Sequence, residues 1–263
     1  FGQTISRADG MYDMAVNGGG LLTLNFQKAA FVTSQRQANA PWQDFALIDD
    51  VVLIQLDSKV TAIDLTNATA MQVAKGNPVT DADGTRQATL LFQPGTQATM
   101  TLANGSTSTL ANFHIRATEF TTGANGPNSM PASLPPTSGY TYEVEYSVDE
   151  AAGTGATNIT FSLPIISYTE NFLNFPVGSL VPYGEYDRKK GMWIASDNGK
   201  VIKILSVTGG QASLDIDGSG QAATTADLTA LGVTDQELHS LATLYPSGQS
   251  LWRVPIAHIL VIN

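Results

Sequence analysis

The sequence predicts an all-β protein built from tandem antiparallel β-sandwiches, with one short helical insertion. Three observations carry this. Apolar and polar residues alternate with period two along much of the chain. Turn dipeptides such as Asp9-Gly10, Asn104-Gly105 and Asn198-Gly199 punctuate that alternation. Only one segment, residues 225–244, changes to a helical spacing. The chain has 263 residues and 43 % apolar content, ample for a core.

Along the chain, Met11-Tyr12-Asp13-Met14-Ala15-Val16 reads as a strand with Tyr12, Met14 and Val16 on one face. Asn17-Gly18-Gly19-Gly20 turns the chain into a second strand with Leu22, Leu24 and Phe26 aligned. Val51-Val52-Leu53-Ile54 is apolar on both faces and reads as a central strand. Asn104-Gly105 predicts a hairpin between 98–103 and 107–110. Asn198-Gly199 predicts another between 192–195 and 200–205, because Asn and Gly tolerate the positive φ of primed turns. Between Thr225 and Leu244, the positions of Leu228, Leu231, Val233, Leu238, Leu241 and Leu244 fit helical turns. Thr234-Asp235-Gln236-Glu237 has the spacing of a capping box. Gly232 separates two short helices and Tyr245-Pro246-Ser247-Gly248 ends the second.

Clusters of Pro, Gly and small polar residues set the expected boundaries. Residues 1–57 form a first unit, 58–173 a β-sandwich, and 174–263 a β-rich extension carrying an Asp-rich loop and the helices. Thr121–Ser138 reads as an ordered surface loop, with a disordered linker as the alternative. The chain opens on Phe1-Gly2-Gln3 and closes on Ile259-Leu260-Val261-Ile262-Asn263, which suggests an excerpt from a longer polypeptide.

Composition excludes several functions. There is no Cys, hence no disulfide, thiolate metal site or thiol nucleophile. The net charge of −10 and the lack of basic runs speak against a nucleic-acid partner. No window reaches the roughly 20 apolar residues of a membrane span. His114, His239 and His258 have no ligand-like spacing and read as surface or hydrogen-bonded histidines. Glu143 and Glu145 lie two apart on one strand and read as a solvated face, not as a glycosidase pair. Asp49-Asp50, Glu185 and Asp187 carry no signal. No elbow, phosphate-binding loop or zinc motif is present, so no catalytic residue is nominated.

The most specific local pattern is Ser213-Leu214-Asp215-Ile216-Asp217-Gly218-Ser219-Gly220-Gln221. Asp215, Asp217 and Ser219, with the Gln221 carbonyl at position seven, match the first half of a calcium loop. The twelfth position is Ala226, with Asp227 one residue beyond. Two readings stand: a Ca2+ site closed by Asp227, or a metal-free Asp-Gly turn that caps the next helix.

Several stretches together resemble one family. Arg7-Ala8-Asp9-Gly10 through Asn17-Gly18-Gly19-Gly20 and Leu22–Phe26 resembles the segment before the β-shell of bacterial RHS/YD-repeat proteins and animal teneurins. So does Pro41-Trp42-Gln43-Asp44-Phe45 leading into Val51–Ile54. Asp83-Gly84-Thr85-Arg86, Leu134-Pro135-Pro136-Thr137-Ser138-Gly139-Tyr140, Asn171–Gly178, Tyr186-Asp187-Arg188 and Gln249–Ile256 continue the likeness in order. The resemblance implies later strands of a transthyretin-like, carboxypeptidase-regulatory-like sandwich over 1–57, followed by a fibronectin-like plug. In that family the plug seals a shell of YD repeats that in bacteria often encloses a toxin. It implies a secreted or cell-surface setting, a non-catalytic role, and the YD shell of the same polypeptide as partner. Phe175, Tyr183, Tyr186, Trp193 and Trp252 are the candidate interface aromatics, with core packing as their plain alternative. An adhesin-like module for a glycan or a cell-surface protein is the second function considered.

Overall fold

The computed structural model describes residues 2–66, 68–121, 126–132 and 141–261. An N-terminal hairpin pairs β1 (Gly20–Phe26) with β2 (Ser34–Ala40). There follow β3 (Thr61–Asp64), β4 (Gln72–Lys75), the small hairpin β5 (Val79–Asp81) and β6 (Gly84–Arg86), β7 (Thr89–Phe92), β8 (Ala98–Leu102), β9 (Thr107–Thr109) and β10 (Asn112–Glu119). One helical turn, α1 (Gly126–Ser129), precedes β11 (Val144–Val148) and the long β12 (Ala156–Glu170). The remaining elements are β13 (Leu180–Val181), the hairpin β14 (Gly184–Asp187) and β15 (Met192–Ala195), β16 (Gly199–Thr208), β17 (Gln211–Asp215), α2 (Thr225–Ala230), α3 (Asp235–Leu244) and β18 (Ser250–Leu260).

The organising element is β12. It lies inside a nine-stranded antiparallel sheet of order β13-β16-β18-β12-β7-β4, with β17 on β16, β8 on β12 and β9 on β8. The first half of β12 pairs with β8 and the second half with β7, while β18 runs along its other edge. The register with β18 shifts between Thr160 and Ile165. Pro164 lies in that interval, where its missing N–H cannot serve a regular ladder. Neighbouring Ile165 and Ile166 point to opposite faces and enter different cores. On one face, Ile159, Phe161 and Ile165 meet Ile63, Phe113, Ile115 and Val148 from the three-stranded sheet β11-β10-β3. On the other, Ile166 and Tyr168 meet Leu238 and Leu241 from α3 and Val233 from the turn before it. The result is a β-sandwich with a helical pair on its outer face, as the sequence predicts.

The helical insertion forms where expected, and Thr234 caps α3 by accepting the Glu237 N–H at 3.2 Å. The full reciprocal capping box is one helix earlier, between Thr224 and Asp227. The Asn104-Gly105 hairpin joins β8 to β9, with Gly105 at φ +85°.

Three strand expectations are corrected by long-range pairing. Tyr12 and Met14 keep the inward face and Tyr12 meets Phe26 edge-on at 5.6 Å, but Val16 is exposed and residues 11–16 join no ladder. Val51–Ile54 is extended yet outside any sheet; an isolated bridge joins Phe31 to Gln55, and Val32 donates to the Ile54 carbonyl. Asn198-Gly199 makes no hairpin: β15 turns back onto β14, and β16 pairs with β13, β17 and β18. Gly199 is needed for close approach, since a Cβ there would stand 2.5 Å from the Arg253 carbonyl oxygen. The turn chemistry sits instead at Gly209-Gly210, both at positive φ, between β16 and β17.

Strand pairing crosses the expected boundary at residue 174. β12 lies before it and β18 after it, and the two form the longest pairing among the described strands. Part of Thr121–Ser138, the Leu134–Tyr140 block and the closing Ile262-Asn263 lie outside the described residues.

Candidate functional site

Of the five candidate interface aromatics, Trp252 and Tyr186 are buried, Tyr183 and Trp193 are half-buried, and Phe175 is exposed. Trp252, on β18, is almost fully buried and donates its indole N–H to Asn171 Oδ1 at 2.7 Å. Asn171 also accepts the Phe175 N–H and donates to the Phe175 carbonyl. That small hydrogen-bonded loop lays the Phe175 ring on Trp252, with centroids 5.5 Å apart and planes 16° apart. Phe172 and Tyr142 complete the cluster. The Asn171–Gly178 and Gln249–Ile256 stretches, remote in sequence, are therefore one packed unit. Phe175 remains 39 % exposed and is the member of the five that offers most surface.

Tyr186 and Trp193 face each other across the β14–β15 hairpin, centroids 5.3 Å apart. They hold the N-terminal segment in place. The Tyr186 hydroxyl donates to Gln35 Oε1 at 2.8 Å, Gln35 Nε2 donates to the Arg188 carbonyl, and Arg188 Nη1 donates to the Thr33 carbonyl. Trp193, Ile54 and Leu56 pack on Val32, Phe120 and Met130. The interface these aromatics make is thus between residues 32–56 and the sandwich of the same chain.

The Asp215–Gln221 loop is closed by its own backbone. Asp215 is buried, and its carboxylate accepts the N–H groups of Asp217, Gly218 and Gly220 at 2.8–3.2 Å. Asp217 accepts the Ser219 N–H, and the Gln221 N–H reaches Ser219 Oγ. Asp227 belongs to the α2 cap, bonded to Thr224. Among the described residues no group of three or more His, Asp or Glu side chains is disposed to hold a metal ion. The loop also clasps the preceding turn: a Cβ at Gly178 would stand 2.6 Å from the Asp217 carbonyl, and one at Gly218 2.6 Å from the Val177 carbonyl.

Glu143 and Glu145 correct the reading of a solvated face. They line a cavity of about 190 Å³ between β11, the β13–β14 segment and β18. Burial pushes the Glu143 carboxyl up to about 8, with the neighbouring Glu145 adding to the rise and Arg188 opposing it. Burial likewise pushes Glu145 up to about 7 against the lowering influence of Arg188. Arg188 Nη2 stands 3.6 Å from Glu145 Oε2. Across the cavity, His258 Nε2 meets Glu185 Oε2 at 2.6 Å. Burial drives the Tyr183 phenol far above its ordinary range, and the charge of Glu185 adds to this. The alternation around Tyr142–Tyr146 was visible, but β11 is an edge strand whose other side is covered by a segment some forty residues later. No local signal announces that cover.

Two buried ion pairs also escaped sequence reasoning. Arg253 and Glu237 are both essentially inaccessible. Arg253 donates to both Glu237 oxygens, at 2.7 and 3.1 Å, and to the carbonyls of Leu231 and Gly232. Tyr168 donates to Glu237 Oε1 at 2.6 Å. Arg86, 1 % exposed, bonds Asp81 with two nitrogens and Glu119 with Nε, beneath the Phe172 ring. His114 pairs with Glu150, and His239 Nδ1 lies 2.8 Å from the Asp235 carbonyl oxygen. These are the satisfied histidines the sequence suggests.

The geometry thus defines a β-sandwich body with an N-terminal hairpin segment fastened to it. Residues 1–53 match the family model described as the Teneurin TTR-like domain. The chain is 35 % identical over 79 residues to Teneurin-4 of Mus musculus, 41 % over 64 residues to Teneurin-3 of Danio rerio, and 39 % over 66 residues to Teneurin-m of Drosophila melanogaster. These matches cover 30 %, 24 % and 25 % of this chain. They cover only 3 %, 2 % and 2 % of the relatives. No solved structure matches significantly.

Proposed function

We propose that this chain is a non-catalytic structural segment of a much larger teneurin-like polypeptide, secreted or displayed at the cell surface. In the finer form of the proposal it is the plug and scaffold of an RHS/YD-repeat protein, and it seals a β-shell that encloses a toxin in bacterial members. The observation that carries this is the match of residues 1–53 to the Teneurin TTR-like model. The fastening of that segment to the sandwich through Gln35, Tyr186, Arg188 and Thr33 supports it, because a plug must be rigid. Among the described residues no helix is long and apolar enough to cross a membrane. Cryo-electron microscopy of the complete parent polypeptide tests the proposal. Density for this segment seated in one end of a hollow shell supports it, and a segment hanging free of any shell overturns it.

A second reading, an adhesin-like module, is favoured by one observation. Trp42, Phe45 and Leu47 are 72 %, 92 % and 97 % exposed, and exposed apolar groups mark contact surfaces when they adjoin. Saturable binding to a glycan or cell-surface protein, lost in Trp42→Ser/Phe45→Ser, would support it. Calcium at Asp215, Asp217 and Ser219 rests on their spacing. Calorimetric heat on calcium addition that Asp217→Asn removes would support it, and no heat at millimolar calcium would overturn it.

A further inference from the structure

We propose that the cavity between β11, β14 and β18 binds an alkylammonium group, carried either by a small free amine or by a lysine side chain. The charge balance of the cavity motivates this. Glu143, Glu145 and Glu185 face it, against Arg188 and His258. Fully ionised, the three carboxylates would exceed the two cationic side chains by one, and burial holds that excess in check by keeping Glu143 and Glu145 largely or partly protonated. His258 is engaged with Glu185 at 2.6 Å. Arg188 directs Nη1 to the Thr33 carbonyl and holds Nη2 3.6 Å from Glu145, a distance too long for a strong hydrogen bond. Among the described residues, no hydrogen bond reaches the Glu143 carboxylate. Burial favours the protonated form of that carboxyl, and a cation seated beside it would favour the ionised form.

A second observation points the same way. The Tyr142 hydroxyl is buried on the cavity wall, with Thr169 as its neighbour there. Its lone pairs suit an ammonium N–H. Trp193 and Trp252 also line the cavity, and indole faces attract cations. The cavity, at about 190 Å³, is smaller than the roughly 300–1,000 Å³ of drug-sized sites. It suits a short chain with one charged end better than a polymer.

The test is isothermal calorimetry of the whole chain with n-butylamine, Nα-acetyl-lysine amide and the neutral control n-butanol, in phosphate and in HEPES. Glu143 and Glu145 are held largely or partly protonated at pH 7 by burial, with carboxyls at about 8 and 7. The entering cation favours the carboxylate, so a proton leaves the carboxyl for the buffer as the ammonium takes its place. The other titratable or charged groups facing them are Glu185, His258, Arg188, Tyr142, Tyr146, Tyr183 and Tyr186. The observed heat must then differ between the buffers. Affinity must rise at least about tenfold from pH 6 to pH 8, because the deprotonated carboxylate is the binding form.

Saturation on the order of millimolar by both amines assigns the source to a lysine side chain. Saturation by butylamine alone assigns it to a free amine. Glu143→Gln, nearly isosteric, must weaken binding about tenfold or more and reduce the buffer dependence. Tyr142→Phe must weaken it several-fold while Trp252 fluorescence still reports a native cluster. Absence of saturation by either amine, equal binding of butanol, or undiminished binding by folded Glu143→Gln overturns the proposal.

Discussion

Arg253 on β18 and Glu237 on α3 form a bidentate ion pair that is 2 % and 0 % exposed and ties the helical pair to the interior of the nine-stranded sheet. The pair is completed by Tyr168 from β12 and by two carbonyls at the α2–α3 turn. Every donor that the guanidinium directs inward finds an oxygen. The cost of burying both charges is offset by that complete set of partners, which is the condition under which such pairs persist.

Removing one member of this pair leaves the other charge stranded. Glu237→Ala is expected to lose about 3–5 kcal/mol of stability by chemical denaturation. Arg253→Met combined with Glu237→Leu is expected to lose far less than the sum of the single changes. A double variant at least as damaged as that sum would show that the pair acts independently of its partners.

Gly178 sits at φ +86° with the Asp217 backbone where its Cβ would go. Gly178→Ala therefore combines left-handed strain with a backbone clash and should destabilise by about 2 kcal/mol or more. By contrast, Gly95→Ala carries only the strain, since nothing lies within 4 Å of its Cβ position. Thermal melts of the two variants should rank them in that order.

The N-terminal segment should be separable from the sandwich by small changes at their junction. Tyr186→Phe removes the hydroxyl that reaches Gln35, and Arg188→Ala removes the donor to the Thr33 carbonyl. A two-stranded hairpin is marginal alone. Amide exchange in β1 and β2 should then accelerate by tenfold or more in the double variant, while β12 stays protected. Loss of protection in β12 to the same degree would mean the two regions unfold as one.

The carboxyls of Glu143 and Glu145 predict an unusual pH dependence. Their folded-state values, about 8 and about 7, lie above the ordinary value of 4.5. The folded state therefore holds more protons than the unfolded state between these limits. The contribution is fully present below about pH 4.5 and is lost as pH rises through 7 and 8. Glu143→Gln should flatten this fall and be more stable than the parent at pH 8 by at least about 1 kcal/mol. Denaturant midpoints across pH 5–9 read it directly.

Local chemistry marked several elements well. Asn104-Gly105 makes its hairpin because both residues of the turn and both flanking strands are contiguous in sequence. Thr234 caps α3 for the same reason. The failures share one cause. Val51–Ile54, Asn198-Gly199 and the Glu143/Glu145 face depend on which distant strand lies alongside, and a strand's neighbours are set by the whole sheet. Glu237 shows the division within a single residue. Its backbone N–H serves the predicted cap, whereas its side chain turns into the core toward Arg253, sixteen positions later. For the candidate aromatics, residue type alone does not say which are covered; the assembled sheets bury Trp252 and Tyr186 and leave Tyr183 and Trp193 half-buried.

β18 is the last strand in sequence, yet it occupies an interior place between β16 and β12. During synthesis, the ribosome must deliver residues up to about 260 before the sheet has its middle. Until then Leu90, Leu91 and Phe92, all buried in the finished molecule, have an incomplete cover. The nascent chain therefore carries an incomplete sheet until the β18 residues have left the ribosome, and the sandwich closes in one late step instead of strand by strand.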